Sequence, residues 1–260
     1  MHLEFVLNGA HRTLDVPADL TLLQLLRHYC GITSVKDGCA PQGQCGCCLA
    51  LINGAPKVTC AMPAARADGA DIRTIEGVSA RDRELCARAF ASAAGVQCGF
   101  CLPGIALRAT WLLDRSPHPT RREIARAIDV HLCRCTGYQR IVDAIELYGR
   151  ARLGDTIPWP SGDATVGRSL VRYRASDLVL GTTAFVADLA RPNLLHGAVL
   201  LSPHAASFNG DAGGELRPGI AWATRSVLTA LSGGVPDNVY NKDVIPRWRE
   251  RFGGASVTQR

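Results

Sequence analysis

The stretches QCGFCLPG (Gln97–Gly104) and LCRCTGY (Leu132–Tyr138) each hold two closely spaced cysteines. The first contains a C-x2-C pair and the second a C-x-C pair, and 31 residues separate the two pairs. That interval has the pattern of two helices around a proline-rich turn, and an antiparallel helix pair returns the chain to its starting point. The pattern therefore predicts one metal site with four thiolate ligands: Cys98, Cys101, Cys133 and Cys135.

A second cysteine set precedes this one in the glycine-rich loop KDGCAPQGQCGCC (36–48). Three cysteines in one loop and a fourth at the end of the following hairpin are typical of a plant-type [2Fe-2S] site. The usual spacing is C-x4-C-x2-C, whereas five residues separate Cys39 from Cys45, so we expect a one-residue bulge. Cys47 and Cys48 are both candidates for the third thiolate ligand of this site. The C-x2-C spacing from Cys45 favours Cys48. The predicted ligands of this site are Cys39, Cys45, Cys48 and Cys60.

Zinc is the competing metal, because structural zinc sites also take four thiolates in paired motifs. A C-x-C pair is less usual for zinc than C-x2-C, and zinc alone would not account for two unlike tetrads in adjacent regions. We therefore expect two [2Fe-2S] clusters. The 11 cysteines and the absence of a signal-peptide pattern favour a reducing, cytoplasmic compartment, in which clustered thiols bind metal.

The composition argues against several other functions. The formal net charge of +6 comes mainly from scattered arginines, so we expect no nucleic-acid binding. No run of 18 apolar residues occurs, so we expect no membrane span. The seven histidines show no paired spacing for a catalytic metal, and a metal held by four thiolates has no open position for substrate. The chain is therefore expected to carry electrons, with no catalytic residue of its own.

Residues 1–78 have the pattern of a mixed domain of strands and helix. Two Asn-Gly dipeptides predict two β-hairpins. The dipeptide at 8–9 lies between segments in which apolar and polar residues alternate, and the one at 53–54 follows a short apolar segment. Thr21 and Gln24 form a capping box before a short apolar helix. The second hairpin brings the fourth cysteine of the first set back to the loop that carries the other three.

Residues 79–152 change to a helical pattern, in which we expect four helices. Pro103 suits the first turn of one helix, and Thr120 with Glu123 forms the capping box of another. Residues 153–165 are rich in proline, glycine and polar residues and predict a linker. The predicted fold class is therefore α+β, with a ferredoxin-like domain followed by an all-α four-helix domain.

The three cysteine-bearing stretches resemble the signature of the molybdenum hydroxylases, the family of xanthine dehydrogenase and aldehyde oxidoreductase. The resemblance covers about residues 1–150. It implies a β-grasp fold for the first domain and electron transfer from molybdenum to a FAD-bearing subunit or an external acceptor. It also implies that Gln97 contacts the molybdopterin cofactor of a catalytic partner subunit, beside the cluster ligand Cys135.

Residues 166–205, VGRSLVRYRASDLVLGTTAFVADLARPNLLHGAVLLSPHA, resemble the opening of the molybdopterin-binding subunit of the same family. This fragment, bounded at residues 166–207, implies a small subunit fused to the start of a catalytic one, without substrate turnover by this chain alone. Residues 208–260 form a separate tail whose last part is similar to the C-terminus of D-2-hydroxyacid dehydrogenases, and a frame-shifted tail is the alternative. We expect this C-terminal extension to be partial and weakly structured.

Two other interpretations stay open from the sequence. One is a zinc-stabilised interaction module, and the other is a truncated gene remnant that folds in part. Optical absorption separates the first from an iron-sulfur protein, because thiolate-bound iron-sulfur clusters are coloured and zinc sites are not.

Overall fold

The computed structural model describes residues 1–39, 41–160, 166–167, 170–189, 229 and 246. The chain divides into two compact units, Met1–Arg191 and Pro192–Arg260, and nearly all described residues belong to the first unit. The tail predicted at 208–260, with its expected loose packing, lies outside the described residues apart from Thr229 and Pro246.

Five short strands form one mixed sheet in the N-terminal part of the first unit. They are β1 (His2–Leu7), β2 (Ala10–Asp15), β3 (Leu49–Ile52), β4 (Ala55–Val58) and β5 (Asp71–Arg73). Their order across the sheet is β2-β1-β5-β3-β4, with β1 and β5 parallel and the other neighbours antiparallel. Both Asn-Gly dipeptides form the predicted hairpin turns, because all four of their residues adopt the positive φ that these turns require.

A short helical element covers one face of the sheet. Both hydrogen bonds of the predicted Thr21–Gln24 capping box are present at the start of helix α1, Leu22–Gln24. The helix then widens into a π-helical turn, Leu25–Tyr29, closed by the amide of Cys30, which donates to the carbonyl of Leu25 at 3.1 Å. The buried leucines of this element share a core with Phe5.

Four helices follow the sheet, as the sequence pattern predicts. They are α2 (Ala80–Ser92), α3 (Leu102–Arg115), α4 (Arg121–Ala127) and α5 (Gln139–Arg152). The Thr120–Glu123 capping box is present at the start of α4. Phe90, Ile124 and Tyr148 are buried in the core that these helices share.

Strand β3 joins the sheet to the helices, because both of its faces are buried. Ala50 and Ile52 belong to the core beneath α1, whereas Leu49 and Leu51 belong to the core of the helices. The indole Nε1 of Trp111 on α3 donates to the carbonyl of Gly54 at 3.0 Å. The boundary at residue 78 falls just before α2 and stays a prediction, since the sheet and the helices lie in one compact unit.

The last described segment does not match the weakly structured extension expected from the sequence. Helix α6, Ala175–Leu180, packs against α2 and α3. Its residues Ala175, Leu178 and Val179 are buried in the core of the helices. The expectation is therefore wrong for residues 170–189, because contacts with residues distant in sequence hold this segment in place.

Candidate iron-sulfur centres

The second cysteine set lies where two loops meet, at the starts of α3 and α5. Cys101 is the N-cap residue of α3. Cys98 and Cys135 are exposed, whereas Cys101 and Cys133 are buried. All four thiols line one cavity of about 230 Å³. The structure thus brings together the four ligands predicted for this site.

The thiols of this set form two pairs, and each pair joins the two loops. Cys98 lies beside Cys135, and Cys101 lies beside Cys133, close enough for the two thiols of each pair to affect one another's ionisation. Burial raises the pKa of the Cys101 thiol. Burial also acts to raise the pKa of Cys133, but hydrogen bonds from Thr136 and from nearby backbone amides outweigh it and lower that pKa. The loop therefore supplies donors to a sulfur that would be a thiolate when it binds metal.

Tyr138 fixes the shape of the loop that carries Cys133. Its hydroxyl accepts a hydrogen bond from the amide of Cys133 at 2.8 Å and donates to the carbonyl of His131 at 3.0 Å. Its own backbone has φ +69°, a conformation that non-glycine residues rarely adopt. The sequence pattern alone indicates no role for Tyr138, although this residue ends the LCRCTGY stretch that contains Cys133 and Cys135.

The first cysteine set also forms two pairs of thiols. Cys39 pairs with Cys45, and Cys48 pairs with Cys60 across the start of the second hairpin. Cys45, Cys48 and Cys60 are buried and Cys39 is half-buried. The extra residue between the first two cysteines does not separate them, since Cys39 and Cys45 lie close enough for each thiol to affect the ionisation of the other.

Backbone amides surround Cys39. The amide of Gln42 donates to its sulfur at 3.4 Å, and the amides of Gln44 and Cys45 also donate to it. Burial acts to raise the pKa of Cys39, but these donated hydrogen bonds outweigh it and lower the pKa to about 6. By contrast, burial raises the pKa of Cys60 to about 12. Amides directed at a sulfur are the donors that a cluster-binding loop provides.

Cys47 lies beside Cys45 but not opposite Cys60. It is buried, and its thiol donates to the carbonyl of Cys45 at 3.7 Å. Its sulfur lines the cavity of the second set and lies close enough to Cys101 to affect the electrostatics of that thiol. The structure thus places Cys48, and not Cys47, opposite Cys60, as the C-x2-C spacing predicts.

The two cysteine loops are in direct contact. The amide of Leu132 donates to the carbonyl of Cys45 at 2.9 Å. Gly46 has φ +68°, and a Cβ atom at this residue would lie 2.5 Å from the carbonyl oxygen of Val130 and 2.7 Å from Nδ1 of His131. Only glycine permits this approach, so the loop of the first set rests directly on the loop of the second.

His131 packs between the two loops as a neutral residue. Its side chain is buried, and burial lowers its pKa to about 4. Neither ring nitrogen has a hydrogen-bond partner among the described residues. The histidine therefore fills space against Gly46 and Gly104.

Gln97 lies at the mouth of the second site. It is exposed, and its side-chain Nε2 donates to the carbonyl of Cys135 at 2.9 Å. This bond leaves the side-chain oxygen of Gln97 as an acceptor at the protein surface. The structure thus brings Gln97 and Cys135 together, as the resemblance implies.

The described part of the chain contains neither a site for a single metal ion nor a helix that could span a membrane. There, no three His, Cys, Asp or Glu side chains converge closely enough to hold one metal ion. A [2Fe-2S] core has two irons, and its four thiolates stand further apart than the ligands of one ion. Within the same residues, no helix is long and apolar enough to cross a bilayer.

Comparison with known protein families gives two matches that follow one another along the chain. A model described as a 2Fe-2S iron-sulfur cluster binding domain matches residues 5–72. A second model, described as a [2Fe-2S] binding domain, matches residues 74–146. Each model contains one of the two cysteine sets.

Individual proteins are also similar to this chain, and one of these matches extends beyond the two family models. The nicotinate dehydrogenase small FeS subunit of Eubacterium barkeri is 46% identical over 140 residues, which are 54% of this chain and 88% of that protein. The aldehyde oxidoreductase of Megalodesulfovibrio gigas is 41% identical over 192 residues, 70% of this chain and 21% of that protein. Since 70% of 260 residues is 182, the second match reaches at least residue 182.

A solved structure gives the same result. The aldehyde oxidoreductase of Desulfovibrio desulfuricans superposes with a TM-score of 0.65 and 32% identity. The match covers 72% of this chain and 22% of the other. The similarity therefore extends beyond the two cysteine-bearing regions.

Proposed function

The chain belongs to the iron-sulfur subunits of the molybdenum hydroxylases, and we propose that its eight paired cysteines hold two [2Fe-2S] clusters that relay electrons one at a time. The observation that carries this proposal is the pairing of the thiols in two groups whose loops touch. The hydrogen bond from Leu132 to Cys45 joins these loops directly. The chain thus serves an oxidoreductase as its electron-transfer subunit. The sheet with α1 is assigned to the ferredoxin β-grasp fold and the four helices to the second cluster-binding fold.

The donor chemistry of both sites fits a [2Fe-2S] cluster. Four thiols line the cavity of the second site, and backbone amides point at Cys39 in the first. Thiolate ligands and hydrogen bonds to sulfur are what such clusters require. When bound, the cluster supplies one-electron chemistry. The chain itself holds the thiolates, directs donors at them and covers Cys45, Cys48 and Cys101 from water.

Electrons enter, in this proposal, at the second site. Cys98 and Cys135 are exposed there, and Gln97 beside them offers a surface acceptor to the molybdopterin of a catalytic partner subunit. The acceptor is FAD on a further subunit or an external molecule, reached from the first site. There Pro41, Gln42 and Gln44, on the loop that follows Cys39, are exposed.

Residues 166–207 are proposed to be the opening of a molybdopterin-binding subunit fused to the small subunit. The match with the much longer aldehyde oxidoreductase of Megalodesulfovibrio gigas, of which this chain covers only 21%, reaches at least residue 182 and supports this assignment. The identity of the reducing substrate follows from the partner subunit. We assign the chain itself no substrate site.

Two cysteine substitutions test the proposal against a matched control. Cys60→Ser should remove the electron paramagnetic resonance signal of one reduced cluster, and Cys101→Ser should remove that of the other. Cys30→Ser is the control, because Cys30 is half-buried and belongs to neither set, and it should keep both signals. A colourless wild-type protein that contains zinc, or one signal that survives both substitutions, would contradict the proposal.

A further inference from the structure

Residues 170–189, here called the strap, lie across the loops of both candidate centres. Helix α6 within the strap packs against α2 and α3. The turn Val186–Asp188 at its end reaches Lys36, three residues before Cys39. The strap therefore touches the sheet region and the helices at once.

Asp188 anchors the end of the strap in a buried ion-pair triad. One carboxylate oxygen accepts from Arg27 at 2.6 Å, and the other accepts from Lys36 at 2.7 Å. The exposed fractions of the three side chains are 3% for Asp188, 9% for Arg27 and 1% for Lys36. A buried lysine needs such a counter-charge, because an unpaired charge in the interior is strongly unfavourable. Arg27 and Lys36 thus form a buried, positively charged site that binds a carboxylate, and Asp188 supplies that carboxylate.

An aromatic contact lies beside this triad. The rings of Phe185 and Phe100 meet edge to face, with centroids 5.1 Å apart and planes at 85°. The ammonium group of Lys36 lies 4.9 Å from the centre of the Phe185 ring. Phe100 stands between Cys98 and Cys101, so the strap covers the loop of the second set as well.

Glycines allow helix α6 of the strap to pack closely against the surface beneath it, here called the seat, which includes Ser34, Gly99 and Pro103. A Cβ atom at Gly99 would lie 2.7 Å from Leu178 of α6. One at Gly181 would lie 2.8 Å from Ser34 and 2.9 Å from Pro103. The seat therefore accepts a segment of defined shape, with a glycine after its helix and an aromatic-x-x-aspartate sequence at its end.

The two kinds of relative differ in whether their match extends into this segment. The match with the separate small subunit covers 140 residues, whereas the match with the much longer aldehyde oxidoreductase reaches at least residue 182. The longer match thus includes the start of the strap, through helix α6. A relative whose small subunit is a separate protein would need the catalytic subunit to supply such a segment.

We propose that the strap occupies the docking seat of the corresponding segment of a molybdopterin-bearing subunit, so that this chain blocks the seat with its own copy. The inference rests on the proposed function, because it takes such a subunit as the partner. The incoming segment would present a carboxylate to Arg27 and Lys36 and an aromatic ring to Phe100. Because the strap is covalently attached, its effective concentration is high, and a free segment competes with it only when the strap is weakened.

A competition experiment with the full-length, cluster-loaded chain tests this. The probe is a fluorescent peptide with the sequence of residues 170–189, whose binding is followed by anisotropy. The Asp188→Asn chain should bind the peptide at least tenfold more tightly than the wild-type chain, because its own strap has lost the carboxylate that pairs with Arg27 and Lys36. Val186→Ala is the matched control, since Val186 is 87% exposed in the same turn, and that chain should behave as wild type. A peptide that itself carries Asp188→Asn should bind the opened chain at least tenfold more weakly.

Equal affinity of the peptide for the wild-type and Asp188→Asn chains would overturn the inference, as would no binding to either. Phe185→Ala provides a second way to open the strap if the first variant loses its clusters. If neither variant keeps both clusters, the strap is a fixed part of the fold and the inference fails. Iron content and the two resonance signals of the same wild-type preparation test the proposed function separately. Intact clusters without competition would therefore refute the strap inference alone.

Discussion

Replacing Gly46 by alanine tests whether the two cysteine loops depend on their direct contact. The matched control is Gly43→Ala, because both glycines have nearly the same φ, +68° and +69°. A Cβ atom at Gly43 would meet only the side chain of Ala61, at an ordinary 3.6 Å. At Gly46 it would lie 2.5 Å from the backbone oxygen of Val130. The two substitutions therefore share the conformational cost and differ in the collision.

The magnitude follows from these two contributions. A non-glycine residue in the left-handed region costs about 1–2 kcal/mol, which applies to both variants. Forcing an extra methyl group into a packed site costs about 1–3 kcal/mol more, which applies only to Gly46→Ala. Since each 1.4 kcal/mol is about a tenfold change in an equilibrium or a rate, the Gly46 variant should lose its clusters roughly 5- to 150-fold faster than the control.

The assay is the rate at which visible absorbance bleaches in guanidinium chloride under anaerobic conditions. A rate is the appropriate measure because cluster loss is irreversible. The collision lies between the loops, so Gly46→Ala should also change the resonance signals of both centres, whereas Gly43→Ala should affect only the first. Equal bleaching rates for the two variants would refute the reasoning.

Four further predictions follow from the sites. Cys47→Ser should keep both clusters, whereas Cys48→Ser should lose the first, and iron content distinguishes them; loss of iron in the Cys47 variant would reverse the ligand assignment. Tyr138→Phe should destabilise the second centre by about 1–3 kcal/mol, because a donor and an acceptor lose their partner, and its bleaching rate measures this. Gln97→Ala should slow electron entry from a molybdenum partner in stopped-flow reduction while both clusters stay assembled, and an unchanged rate would remove Gln97 from the path. Burial acts to raise the pKa of Asp188, but the hydrogen bonds that its carboxylate accepts outweigh burial and lower this pKa. The contribution of Asp188 to stability should therefore be complete above about pH 4, the pKa of an unperturbed aspartate, and should decrease as the pH falls through its lower pKa in the folded protein. Hydrogen exchange of the strap, measured as a function of pH, would detect this loss.

Local sequence signals predicted much of the fold. The capping boxes at Thr21 and Thr120 and the two Asn-Gly turns all act over three or four residues, so their geometry follows from short-range hydrogen bonding and backbone sterics. The meeting of the Cys98 and Cys133 loops was predicted from helix lengths and the turn between them. Spacing also favours Cys48 over Cys47 as the predicted ligand, and Cys48 is the one that lies beside Cys60.

The features that the sequence did not predict depend on contacts between distant residues. Asp188 meets Lys36 across 152 residues, and no local pattern around either residue indicates a buried ion pair. The contact of Gly46 with His131 likewise appears only when the two loops come together. A weakly structured extension was expected because the helix-like stretch 220–231 has no evident partner element and an isolated helix of that length is marginal in water. Helix α6, earlier in the extension, is instead stabilised by packing against α2 and α3.

Metal analysis combined with reductive titration tests the central claim most directly. The purified full-length chain should contain four irons and four inorganic sulfides and no stoichiometric zinc, because each of two clusters has two of each. Stepwise reduction should take up one electron per cluster and produce two distinct resonance signals. Two zinc ions per chain, or two irons with a single signal, would contradict the account.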